Sequence, residues 1–241
     1  MKIRHLVHSC LLVELAGRRL LVDPGGFSAE AVRGLDAELL AGLDAVLITH
    51  QHPDHVDRAL LQEVLERAQG AEVIAEPETA ELLAEPADDA DAVPARRLRA
   101  LPAGDVHELP AAPGEPAVRL EAVGGRHAII HPDIPRVGNS GLVLSAGDGP
   151  RLGITGDSLE PVPEFRGIDV LAFAVVAPWS KMAETIDFLR AVAPVLALPV
   201  HDAIASDVGR PIFLRQSTDL APEGTEVRDW PADGVVEVGA A

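Results

Sequence analysis

His50, His52, Asp54 and His55 fall within one short segment, Thr49-His50-Gln51-His52-Pro53-Asp54-His55. Residues two apart in an extended stretch point the same way, so His50 and His52 can reach one ion while Asp54 and His55 swing round where a helix begins. Pro53 suits a helix start, because its missing N–H and fixed φ cost little there. Four ligand-type side chains on one turn read as a metal site rather than as surface polarity, and more ligand types stand where other strands are predicted to end. His127 follows Gly124-Gly125, Asp157 follows a strand at 151–155 and Gly156, and His201 follows a strand at 195–200. Open α/β sheets commonly place ligands at such a rim. Three imidazoles can hold one ion, and the remaining carboxylates and imidazoles a second. The set contains no thiolate, which points to Zn, Mn, Fe, Co or Ni in an open catalytic site rather than to closed Cys-rich structural zinc.

These residues need a scaffold that presents several strand ends together. The chain opens with predicted strands at 2–7, 11–15 and 19–22, closed by Asp23-Pro24-Gly25-Gly26. Helical spacing of Val32, Leu35, Leu39 and Leu40 predicts a helix over 29–40, and the continuous apolar run 43–48 predicts a buried strand. The histidine segment then leads into a helix at 56–68, whose apolar face is Leu60, Leu61, Val64, Leu65 and Ala68. A strand at 73–75 and a helix at 78–84 precede an acidic, Pro-rich stretch at 85–94, read as an exposed loop. Further strands are predicted at 95–100, 105–109, 118–123, 127–130, 140–145 and 151–155. Strands at 170–176 and 195–200 flank a helix at 181–192, and a strand at 235–238 ends the pattern. Each half thus passes from antiparallel strands into strand and helix alternation.

Composition limits the function classes. The chain has 241 residues, 47% of them hydrophobic and 24% charged, which fits a globular protein read as a single domain over 1–241. A formal net charge of -18 sets the overall field against a phosphate-binding surface, so no nucleic-acid partner is expected. A lone Cys10 cannot form an internal disulfide, and neither a charged leader nor a long apolar run is present. The expected setting is cytoplasmic, away from membranes, with a small-molecule substrate and with homo-oligomerisation left open.

The segment 49–55 resembles the signature of the metallo-β-lactamase fold superfamily, and His127, Asp157 and His201 follow in the order that its other ligands take. The resemblance spans nearly the whole chain. It implies an αββα four-layer sandwich, two mixed sheets flanked by helices. It also implies two divalent metal ions, zinc first, with manganese or iron as alternatives. By the same resemblance His50, His52 and His127 hold the first ion, Asp54, His55 and His201 the second, and Asp157 bridges both. True class B β-lactamases carry another residue where His55 stands, so antibiotic hydrolysis is not favoured. Within the superfamily the sequence is similar to the metal-dependent hydrolase branch that includes ascorbate-6-phosphate lactonase. That similarity rests on His8-Ser9-Cys10, Leu21-Val22-Asp23-Pro24-Gly25, Gly125-Arg126-His127-Ala128, Thr155-Gly156-Asp157-Ser158 and Pro199-Val200-His201-Asp202.

A two-metal site lowers the pKa of a bound water and polarises the scissile carbonyl or phosphoryl oxygen. The expected activity is therefore hydrolysis of a small ester, lactone or phosphoester by a metal-bridging hydroxide. The resemblance gives Asp54 a double duty as ligand and proton carrier. An iron-dependent oxygenase of the persulfide type and a metal-stabilised binding protein without turnover are the alternatives. Around the ligands, His8 follows the first strand and could approach the metal rim, and Asp23 and Asp202 stand beside ligand positions where they could orient histidines. His131 and Asn139 belong to a loop that could cover the cleft, and Trp179 with Lys181 could receive an anionic substrate. Cys10, inside an apolar strand, reads as a core residue.

Overall fold

The apolar runs form two seven-stranded sheets in a computed structural model that describes residues 1–88 and 90–239. From edge to edge the first sheet contains β14 (Val235–Glu237), β1 (Lys2–Val7), β2 (Cys10–Leu15), β3 (Arg18–Val22), β4 (Ala45–Ile48), β5 (Glu72–Ala75) and β6 (Leu98–Ala100). The second contains β13 (Glu226–Val227), β12 (Leu196–Val200), β11 (Val170–Ala174), β10 (Leu152–Ile154), β9 (Ser140–Ala146), β8 (Val118–Gly124) and β7 (Val106–Leu109). Both sheets are mixed. β1, β2 and β3 are antiparallel, whereas β3 to β6 are parallel; β7 to β10 are antiparallel, whereas β10 to β13 are parallel.

Alternation along single strands assembles the layers. In β2, Leu11, Val13 and Leu15 face the second sheet while Cys10 and Leu12 face the helices, and in β4 Ala45 and Leu47 part from Val46 and Ile48 in the same way. Strands covered on both faces must be apolar at every position, which is why 43–48 reads as an unbroken hydrophobic run. The inter-sheet core joins Leu11, Leu20 and Leu47 to Leu120, Leu144 and Leu198. Outside the first sheet pack α1 (Ala29–Arg33), α2 (Ala37–Ala41), α3 (Arg58–Arg67) and α4 (Pro77–Leu83). Outside the second pack α5 (Met182–Val192) and α6 (Arg210–Asp219). The result is the expected αββα sandwich.

Three local expectations change. The stretch 29–40 forms two helices, because Gly34 caps the first and the extended backbone of Asp36 starts the second. The stretch 127–130 is not a strand. Gly124 and Gly125 take φ of +80° and +122° and turn the chain out of β8, after which single bonds, His127 N–H to Val137 O and Ala128 N–H to Asp157 O, replace a ladder. The helix α6 and the two-residue β13 were not anticipated; α6 buries only Ser217 completely and so lacks a clear apolar stripe. In the acidic stretch 85–94, Glu85, Pro86, Ala87 and Asp88 are exposed, Ala90 and Val93 are buried, and Asp89 lies outside the described residues.

The strand directions position the site. β1, β3 and β4 run the same way in one sheet, as do β8, β10, β11 and β12 in the other, so their C-terminal ends come to one rim. Two backbone bonds close that rim between the sheets, Ser140 N–H to Thr49 O at 2.9 Å and His201 N–H to His8 O at 3.0 Å. No helix among the described residues is long and apolar enough to cross a membrane.

Candidate metal centre

Six of the nine histidines and two aspartates gather at this rim in two sets: His50, His52, His127 and Asp157, and His8, Asp54, His55 and His201. Within each set one ligand atom per residue lies within 4.8 Å of the others. The imidazoles are aimed rather than merely adjacent. Donors on Nδ1 point away from the centre: His50 to Thr49 Oγ1 at 3.1 Å, His55 to Asp23 Oδ2 at 2.8 Å, His127 to Ala128 O at 2.6 Å and His201 to Val176 O at 2.8 Å. Such an outer partner fixes the ring orientation and turns Nε2 inward, the arrangement that metal-ligating histidines adopt. His52 completes the first set through Nδ1, which lies 3.1 Å from His50 Nε2.

Asp157 links the sets. Its Oδ1 is 3.0 Å from His55 Nε2, and its Oδ2 is 3.3 Å from His127 Nε2 and 3.2 Å from His201 Nε2. These close approaches lack hydrogen-bond alignment, so His55 Nε2, His127 Nε2, His201 Nε2 and Asp157 Oδ1 are buried without a partner. Buried polar atoms are almost always satisfied, and an orphan among them calls for an explanation. Four orphans converging as three imidazole nitrogens and one carboxylate oxygen fit divalent cations, and so does the all-nitrogen-and-oxygen donor set.

The backbone is shaped to hold them. His8, Asp23 and His201 take φ of +60°, +46° and +63°, a left-handed conformation that costs non-glycine residues about 1–3 kcal/mol each and persists only where the surroundings enforce it. Gly156, at φ +55°, lets the chain pass Asn139; a Cβ there would lie 2.3 Å from Asn139 Oδ1. Asn139 brackets Gly156, accepting from Asp157 N–H at 2.9 Å and donating to Thr155 O at 3.1 Å. It is buried beneath Asp157 rather than lying over the cleft.

The other candidates separate cleanly. Asp23 accepts from both the N–H and the hydroxyl of Thr49 at 2.8 Å as well as from His55. Trp179 donates Nε1–H to Asp157 Oδ2 at 2.9 Å, with its ring 5.8 Å from that of His127. Asp202 turns to Arg210, whose Nε donates to its Oδ2 at 2.6 Å, and does not touch the His201 ring. His131 is exposed and bonds within its own loop, accepting from Asp133 N–H. Lys181 is an exposed residue that caps α5. Sequence reasoning passed over Thr49, whose hydroxyl serves Asp23 and His50 together, although its place beside His50 was a signal. It also passed over His5, which donates Nε2–H to His8 O at 2.8 Å and had no companion in sequence.

The electrostatics follow burial and charge. Burial pushes the His50 imidazole well below 6.5. Burial would also lower His55, but Asp157 and Asp23 outweigh it and hold that ring well above 6.5. Burial would raise Asp157, yet His55, His127 and His201 hold it well below the usual carboxylate range. Burial likewise opposes ionisation of Asp54, and the His8 hydrogen bond overcomes it, bringing the carboxyl to about 2. Buried Cys10 is pushed up to about 12, so its thiol is inert at neutral pH. In metal-free protein the two histidine shifts have opposite linkage. His50 binds its proton in the unfolded chain but not in the folded one, so its contribution grows as pH climbs to 6.5. The contribution of His55 is complete below 6.5 and is lost as pH rises through its higher folded value. Urea melts of the chelated protein across pH are expected to peak near pH 6.5, and stability rising steadily into the alkaline range would contradict this assignment.

The chain is 43% identical over 234 residues to Protein Rv0786c of Mycobacterium tuberculosis, covering 94% of this chain and 96% of that protein. Among solved structures it resembles Igni18, a metallo hydrolase of Ignicoccus hospitalis, with a TM-score of 0.64 at 20% identity over 98% of this chain and 97% of that one. It also resembles CmlA, a diiron β-hydroxylase of Streptomyces venezuelae, with a TM-score of 0.59 at 15% identity over 99% of this chain and 54% of that one. The pattern of the β-lactamase superfamily domain matches residues 2–201, and the chain belongs to that family, with the metallo-β-lactamase fold.

Proposed function

We propose that this protein is a metal-dependent hydrolase of a small ester, lactone or phosphoester, and that it holds two divalent ions, zinc first. The observation that carries the reading is the convergence of the orphaned, buried Nε2 atoms of His55, His127 and His201 on Asp157. His50, His52 and His127 would hold one ion, Asp54, His55 and His201 the other, with Asp157 shared. Bound ions at this rim supply Lewis acidity and a water that ionises near neutral pH. The chain's own residues do the rest. Asp54, whose side chain is 26% exposed, faces the opening and is ionised at neutral pH, so it orients the attacking water, accepts its proton and returns it to the leaving group. Trp179 walls the cleft and keeps Asp157 Oδ2 in place.

A hydrolase and a diiron hydroxylase share this frame, so metal and reaction must be read together. The test is turnover of p-nitrophenyl acetate, a γ-lactone and bis(p-nitrophenyl) phosphate by protein loaded with zinc, manganese or iron, with oxygen uptake followed in parallel. Hydrolysis of at least one substrate, abolished by chelation and by His52→Ala, is the expected result. Oxygen consumption with iron and no hydrolysis would overturn it in favour of an oxygenase.

A further inference from the structure

His8 is built the other way round from its neighbours. The four histidines with outward Nδ1–H groups turn Nε2 to the centre, but His8 Nδ1 lies 3.2 Å from the backbone N–H of Ala203, which can only donate. That bond uses the Nδ1 lone pair and places the single ring proton on Nε2, 3.2 Å from Asp54 Oδ2. A second proton on the ring would set two donors against each other at Ala203.

The geometry points to His8 as a positioning residue, a fixed hydrogen-bond donor to the Asp54 carboxylate, and not as a fourth ligand of the Asp54, His55 and His201 set. This rests on the metal-centre reading above. The surroundings hold the ring in that sense. It is 1% exposed, its edge meets Phe27 with ring centroids 5.1 Å apart, and it packs 4.1 Å from the His201 ring. The strained backbone of His8 is clamped through its carbonyl, which accepts from His5 Nε2–H at 2.8 Å and His201 N–H at 3.0 Å. His5 stacks on Trp230, and Arg210 ties Asp202 to Asp229. The turn after β12 therefore supplies both a metal-site histidine and the N–H that sets the tautomer of a second. With Oδ2 tied to His8, Asp54 cannot swing freely.

Two variants and one spectroscopic measurement test this. Asn tolerates the left-handed backbone and can accept from Ala203, but is too short to reach Asp54, whereas Gln reaches as far as Nε2. His8→Asn is expected to bind as many zinc equivalents as the wild type, with affinity by chelator competition lowered about 10–100-fold, and His8→Gln to recover most of it. His201→Ala is expected to lose an equivalent. Long-range proton–nitrogen NMR of histidine-labelled wild type should find the His8 proton on Nε2 both in chelated and in zinc-loaded protein. A lost equivalent in His8→Asn, an unchanged affinity, or a proton on Nδ1 would overturn the proposal. Should His8→Asn fail to fold by circular dichroism, the wild-type spectrum decides alone. If wild type bound no zinc, the metal-centre reading would fall, while the chelated spectrum would still report the tautomer.

Discussion

Asp157→Asn is expected to abolish metal binding and to destabilise the chelated protein by about 3–5 kcal/mol, the usual cost of removing one partner from a buried ion pair. The carboxylate sits 3.0 Å from His55 Nε2 and within 3.3 Å of His127 and His201, all buried. Asn matches its shape and can still accept from Trp179, but it carries no charge to offset a protonated His55. Asp23, on the far side of that ring, compensates only in part. Urea denaturation with and without chelator separates the two effects. The wild type should lose stability on chelation, and the variant should be indifferent to it. A variant as stable as the wild type and still shifted by zinc would show that Asp157 is not the shared group.

Gly25→Ala should be comparably damaging for a different reason. A Cβ at Gly25 would lie 1.8 Å from the carbonyl oxygen of Asp54 and 2.6 Å from the N of His55, and both contacts are backbone. Nothing flexible can yield, so the turn carrying Asp54 and His55 must move. We expect a loss of about 3 kcal/mol or more, above the usual range for overpacking, together with loss of the ion that this turn would hold. Gly26→Ala is the control. Its Cβ would meet Asp57 Oδ2 and Pro53 O at 3.5 Å, ordinary contact, so stability should change by no more than about 1 kcal/mol. Thermal melts and zinc titrations of the pair check the contrast, and equal behaviour of the two variants would contradict it.

What the sequence made legible was whatever repeats or clusters locally. The continuous run ending in β4 and the apolar face of α3 both appear as written. So does the crowding of His50, His52, Asp54 and His55. Gly34 shows the limit of periodicity, since Val32, Leu35 and Leu39 keep helical spacing across a break that only the cap geometry reveals. His127 shows another, because an extended apolar stretch becomes a strand only when a neighbour offers a ladder. The site's supporting bonds were hidden by distance along the chain. His8 and Ala203 are 195 positions apart, and Asp23 and His55 are 32 apart, so a lone histidine or aspartate gave no hint of its partner. Asp202 carried the opposite error: adjacency to His201 suggested contact, yet its carboxylate turns to Arg210.

The most direct test of the central claim is the metal content, by elemental mass spectrometry, of protein purified without added metal or chelator, beside His52→Ala and Asp157→Ala. The account predicts about two equivalents of divalent metal, zinc foremost, in the wild type and a clear fall in both variants. Wild-type protein that carries no metal and takes up none on titration would contradict it.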